Sequence, residues 1–216
     1  ALPVVVRVPV GGGMGAGPFH SQNVEAWFTH VAGLKVVAPA TPFDAKGLLL
    51  AAFEDGNPVL YLEHKGLYRS ARGPVPGGPY TLPLGSAKVA RPGTDATVVT
   101  YGVGAVWALE AAEALAGEGW SVEVVDLRTL LPWDRETVLA SVRRTSKALV
   151  LHEAPVTGGF GAEIAATIGR ECFEDLDAPV ERLGALDTPV PFAKAIEEIY
   201  SPKARLVPAL RSLLAR

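Results

Sequence analysis

Along the whole chain, short runs of β-branched and aliphatic residues alternate with segments whose apolar residues recur at a helical spacing. Near-continuous apolar runs are the mark of parallel strands, because helices cover both of their faces. Leu2-Pro3-Val4-Val5-Val6-Arg7-Val8 reads as such a strand, buried on both sides. A flexible loop follows at 11–18, then a short helix over 23–31 capped by Ser21 or Asn23. Residues 34–38 read as the next strand. Thr41-Pro42 with Asp44 behind it opens a helix across 43–53, Asp55-Gly56-Asn57-Pro58 stops it, and 59–62 form a third strand. The expected class is α/β, with mainly parallel sheets.

Gly73-Pro74-Val75-Pro76-Gly77-Gly78-Pro79 can hold neither regular structure and reads as an ordered linker. It divides the chain into residues 1–70, a linker at 71–86 and a second α/β unit at 87–216. In that unit strands are expected near 96–101, 121–126, 148–151 and 180–183. Helices are expected at 105–116, 135–142, 161–173, 193–199 and 204–214. With 49% apolar and 20% charged residues among 216, the chain can build a proper core. A net charge of -3 without clustered Lys and Arg gives no reason to expect nucleic acid or an anionic membrane as partner. No apolar run approaches the roughly 18–20 residues that span a bilayer. A single cysteine, Cys172, excludes an internal disulfide framework and a Cys-based zinc site, and fits a reducing compartment. The expected location is the cytoplasm or an organelle matrix. Because a buried strand opens the chain with no Met or cap before it, the natural protein is expected to continue upstream.

Gly11-Gly12-Gly13-Met14-Gly15-Ala16 satisfies the loose dinucleotide pattern after a strand. However, Pro18-Phe19-His20-Ser21 intervenes before any helix, and no acidic residue ends a second strand at the required distance, so a mobile loop is the expected reading. His20 follows that loop at the C-terminal edge of a strand, where α/β sheets place ligands. Two readings are open: an imidazole presented to an anionic substrate, or one beside a helix that Ser21 caps. His30 is expected to pack on its helix, while His64 and His152-Glu153 end strands without the second His of a zincin motif. Asp55 and Asn57 flank a helix C-terminus, which suits a solvated turn or a monovalent cation. Cys172 is expected to be a buried small hydrophobe on a helix face.

Pro18-Phe19-His20-Ser21-Gln22, Gly33-Leu34-Lys35-Val36-Val37, Asp44-Ala45-Lys46-Gly47-Leu48, Asp126-Leu127-Arg128-Thr129 and Pro132-Trp133-Asp134 together resemble one family. It is the beta subunit of the thiamine diphosphate-dependent 2-oxo acid dehydrogenases, the decarboxylating component of those complexes, within the transketolase superfamily. His152-Glu153-Ala154-Pro155 with Thr157-Gly158-Gly159-Phe160, Glu171-Cys172-Phe173 and Asp187-Thr188-Pro189 are most similar to the branched-chain type. Glu63-His64-Lys65 with Leu67-Tyr68-Arg69-Ser70 also resembles forms whose alpha and beta regions are fused.

The resemblance implies two three-layer α/β sandwiches: part of a transketolase-like pyrimidine-binding domain, then a transketolase C-terminal domain. It implies oxidative decarboxylation of a branched-chain 2-oxo acid or pyruvate, with acyl transfer to lipoyl groups. His20 matches the family's active-site histidine, and a potassium site maps onto Val4, Val5, Ala52, Asp55 and Asn57. The implied partners are an alpha subunit or region and a dihydrolipoyl acyltransferase core, in an alpha2beta2-type oligomer or fused dimer. The glutamate that activates thiamine diphosphate and the aromatic that packs on it are expected upstream of Ala1, and magnesium with the pyrophosphate is expected on partner regions. This polypeptide alone is therefore expected to be inactive. The rival readings are a transketolase or deoxyxylulose-phosphate synthase relative and a non-catalytic subunit-assembly module.

Overall fold

The computed structural model describes residues 2–216, and Ala1, where the first predicted segment starts, lies outside the described residues. Strands β1 (Val5–Val10), β2 (Lys35–Val37) and β3 (Val59–His64) belong to the N-terminal part. The C-terminal part contributes β4 (Lys88–Arg91), β5 (Ala96–Thr100), β6 (Val122–Asp126), β7 (Thr129–Leu131), β8 (Ala148–Pro155) and β9 (Glu181–Ala185). They form two sheets, in the orders β1-β3-β2-β7 and β4-β6-β5-β8-β9. Pairing is parallel except at β2–β7 and β4–β6. The first sheet is thus completed by a strand from beyond the linker.

Alternation along the strands sorts residues between the two faces of the first sheet. Val37, Val59 and Tyr61 turn to helix α3 (Pro42–Glu54), where Leu48 and Ala52 meet them. Val36, Leu60 and Leu62 turn the other way and join Val99, Tyr101, Leu127 and Leu130, so one apolar cluster runs across both sheets. In the second sheet, α5 (Val103–Ala116) and α9 (Lys203–Leu214) cover one face through Ala108, Ala112, Leu115, Leu206, Leu210 and Leu213. Helices α6 (Arg135–Thr145) and α7 (Gly161–Glu171) cover the other through Val138, Val142, Ile164 and Ile168.

Several expectations are corrected here. Strand β1 is not buried on both faces: it is an edge strand, with Val6 46% exposed. The helix expected at 23–31 is shorter, α2 (Glu25–Thr29), with Val24 rather than Ser21 or Asn23 as its cap, and a further, unexpected short helix, α1 (Gly17–His20), follows the glycine loop. Pro18 at the first turn starts α1. His30, expected to pack, is exposed at the end of α2. Cys172 is fully buried but terminates α7, and burial pushes its thiol up. The segment after β3 forms α4 (Leu67–Ser70) and then runs back along α3. There the Tyr80 ring stacks on Phe43 at 4.8 Å, and Lys46 donates to the carbonyls of Pro76 and Gly78 at 2.5 and 2.9 Å.

Candidate active site

The chain leaves the C-terminal edge of the first sheet at Val10, crosses the glycine loop and turns into α1, whose last residue is His20. The His20 ring is exposed on a groove of about 520 Å³ shared with Val8, Pro18, Phe19, Trp27 and Lys65. Of the two readings of this segment, capping is not what the fold uses: the Ser21 hydroxyl is buried and makes no hydrogen bond.

The glycine loop is held rather than free. The amide of Gly12 donates to Oε1 of Glu153 at 3.0 Å. Those of Gly13 and Gly15 donate to Oε1 and Oε2 of Glu197 at 2.8 and 2.9 Å. Glu197 lies in α8 (Lys194–Tyr200), so all three acceptors come from the C-terminal half. An amide cradle that would otherwise suit a phosphate is thus filled by the protein's own carboxylates.

Behind the loop lies a cluster of buried ionisable groups. Nε2 of His64 is 2.8 Å from Oε2 of Glu153, close enough for a salt bridge but not aligned as a hydrogen bond. Burial alone would raise the Glu153 carboxyl; His64 and the Gly12 amide outweigh it and hold the group below the usual carboxylate range. Glu25, at the start of α2, is pushed up to about 7 by burial, against the opposing hydrogen bonds of its own backbone and of Tyr101. The Tyr101 hydroxyl donates to Oε1 of Glu25 at 2.8 Å and is itself raised by burial and by that carboxyl. Lys65 is lowered by burial, while Glu153 and Glu197 pull it back up. His152 is buried behind the strand, with Nδ1 2.9 Å from the Ala154 carbonyl, and burial lowers it to about 4. It is a neutral, structural histidine.

The five residues of the expected potassium site lie toward the opposite end of the first sheet. Val4 and Val5 lead into β1, Ala52 lies in the last turn of α3, and Asp55 to Asn57 turn the chain into β3, which pairs with β1 at Val5 and Val59. Helix-terminal carbonyls such as that of Ala52 have no intrahelical partner. The Asp55 carboxylate is engaged by the Lys35 ammonium and by the Asn57 amide and side chain, contacts that lower it, Lys35 foremost. Among the described residues no group of three or more His, Cys, Asp or Glu side chains could hold a metal ion. No helix among them is long and apolar enough to cross a membrane.

Sequence reasoning singled out His20 but missed Glu197, Glu25 and Tyr101, and met Glu153 as a failed zincin motif and as part of a branched-chain-like segment, not as a site residue. No sequence signal marks Glu197, because the face of α8 is inverted: Ile196 and Ile199 are 54% and 67% exposed, while Glu197 and Tyr200 are buried. That inversion cannot be seen until the helix is placed against the loop.

Largely parallel sheets with helices packed on them define an α/β fold, and comparison with known proteins specifies the family. Residues 85–207 match the transketolase C-terminal domain, and residues 1–71 match the transketolase pyrimidine-binding domain. The chain belongs to the transketolase family. It is 49% identical over 210 residues to 2-oxoisovalerate dehydrogenase subunit beta 2, mitochondrial, of Arabidopsis thaliana, covering 97% of this chain and 58% of that one. With 2-oxoisovalerate dehydrogenase subunit beta of Bacillus subtilis it shares 47% identity over 201 residues, 93% of this chain and 62% of the relative. The chain thus spans about three-fifths of the length of these relatives. Among solved structures, a split-gene transketolase described as an inactive beta4 tetramer superposes with a TM-score of 0.74 at 26% identity, over 97% of this chain and 66% of that one.

Proposed function

We propose that this chain is the beta part of the decarboxylating component of a 2-oxo acid dehydrogenase complex. Its substrate would be a branched-chain 2-oxo acid, with pyruvate the next candidate. The observation that carries the reading is the 49% identity to a 2-oxoisovalerate dehydrogenase beta subunit across 97% of the chain. The 26% identity to a transketolase supports the rival enzyme of this superfold less. Thiamine diphosphate, when bound, supplies the carbanion chemistry that removes carbon dioxide from a 2-oxo acid. The residues here fit the substrate side of such a site. The His20 ring is open to a groove, whereas the amides of the glycine loop are already taken and cannot hold a pyrophosphate. Magnesium and the pyrophosphate would fall to an alpha subunit or region.

His20 would hydrogen-bond the carboxylate of the 2-oxo acid and so orient it. During acyl transfer it would pass a proton to the lipoyl sulfur that does not take the acyl group, as the disulfide opens. The turn at Val4, Val5, Ala52, Asp55 and Asn57 would hold potassium through main-chain carbonyls and the Asn57 side-chain oxygen, leaving the Asp55 carboxylate to Lys35. Exposed Phe19, Phe53, Phe192 and Ile199 suit a surface covered by partner subunits and the acyltransferase core, in a cytoplasm or matrix.

The test is His20→Ala in the assembled enzyme. Loss of a positioned proton-transfer group predicts a fall of about 10²–10⁴ in lipoyl acylation, with the melting temperature unchanged because the side chain is exposed. Normal turnover in that variant would overturn the assignment of His20.

A further inference from the structure

We propose that Glu153 and Glu197 are positioning residues that hold the His20 segment from the C-terminal half of the molecule. This rests on the role proposed for His20. Three consecutive anchors precede that residue. Gly12 is tied to Glu153, Gly13 and Gly15 are tied to the two oxygens of Glu197, and the ring of Phe192 closes over Gly17 so tightly that a β-carbon there would lie 2.3 Å from it. An anchor also follows it, where Tyr101 of the C-terminal half donates to Glu25 on α2. Phe19, His20 and Gln22 are exposed between these points, and the buried Ser21 hydroxyl makes no hydrogen bond, so the histidine side chain itself is held by none.

The chemistry explains why carboxylates are used. Gly13 and Gly15 adopt φ of 83° and 66°, and amides alternating through such conformations form a concave anion-binding nest. Hydrogen bonds from amides to an ionised acceptor are roughly twice as strong as neutral ones. A glycine-rich loop loses more freedom on ordering than any other, so without these acceptors it would sample many paths and α1 would start from no fixed point. Glu197 is only 4% exposed, so water does not compete for the carboxylate.

The experiment compares Glu197→Ala and the isosteric Glu197→Gln in the full-length assembled protein. Hydrogen exchange of the amides in 11–20 is expected to rise about tenfold or more in the alanine variant and less in the glutamine one, with both sheets unchanged. Lipoyl acylation should lose about tenfold or more in kcat, because a misplaced proton-transfer group costs rate. Partial recovery in Glu197→Gln supports the same conclusion. Unchanged loop exchange in both variants overturns the clasp whatever the activity, as does collapse of both sheets in both variants. Faster loop exchange with kcat unaltered overturns the positioning role. Wild-type inactivity toward every 2-oxo acid sinks the functional reading instead, and the exchange result still judges the clasp.

Discussion

Gly11 shows how closely the loop and the buried cluster behind it are fitted. Its φ is 93°, and a β-carbon would lie 2.0 Å from the His64 ring, the same ring that contacts Glu153. Gly13 has a similar φ of 83°, but a β-carbon there meets nothing within 4 Å. The pair separates two costs that are usually confounded. Gly13→Ala should lose about 1–2 kcal/mol from backbone strain alone. Gly11→Ala should lose about 3–5 kcal/mol, since the His64 ring must also move out of a buried position. Urea unfolding of the two variants checks this, and equal losses would mean that contact with His64 is not what makes glycine necessary at position 11.

At the scale of elements, Asp134 joins two pieces of structure through one carboxylate. Oδ1 accepts from the Thr137 amide at 3.0 Å and caps α6, while Oδ2 accepts from the Ala87 amide at 2.9 Å, just before β4. Burial would raise this carboxyl, but the amides of Thr137 and Ala87 outweigh it and leave it lowered. Asp134→Ala should therefore cost about 2–3 kcal/mol, more than a simple cap, because the Ala87 amide also loses its partner. Asp134→Asn should retain the α6 cap and lose less, which denaturant midpoints would show. The same scale explains what could be read in advance. Helices α3, α5, α6, α7 and α9 announce themselves by period, length and, for α3 and α6, a Thr or Asp cap. Strands β5, β6 and β8 announce themselves by apolar runs that burial on both faces demands. Strands β4 and β7 do not, because each is short and exists only through an antiparallel partner far away in sequence. His20 was legible from its local setting, whereas Glu197 reaches the site only once α8 meets the glycine loop, and Tyr101 only once the end of β5 meets α2.

Over the whole molecule, the junction of the two sheets buries groups whose protonation changes on folding, and this predicts a pH dependence. The folded-state value of Glu25 is about 7 against 4.5 ordinarily, and that of Asp126 is about 7 against 3.8, in both cases chiefly through burial. Between those limits the folded chain keeps a proton that the unfolded chain releases, so each group makes stability fall as pH rises toward 7, and the loss persists above it. His152 acts in the opposite sense. Its folded value is about 4 against 6.5, so the unfolded chain alone takes the proton and stability rises with pH between those values. With two groups pulling one way and one the other, stability should fall from about pH 4.5 to 7. Glu25→Gln isolates one contribution, because Gln keeps an oxygen for the Tyr101 hydroxyl yet cannot ionise. At pH 8 the variant should be more stable than the wild type by roughly 3 kcal/mol, and at pH 4 the two should be nearly equal. Urea midpoints at the two pH values decide it. An equal gain at both would trace the effect to packing rather than to a carboxyl forced to ionise between the halves.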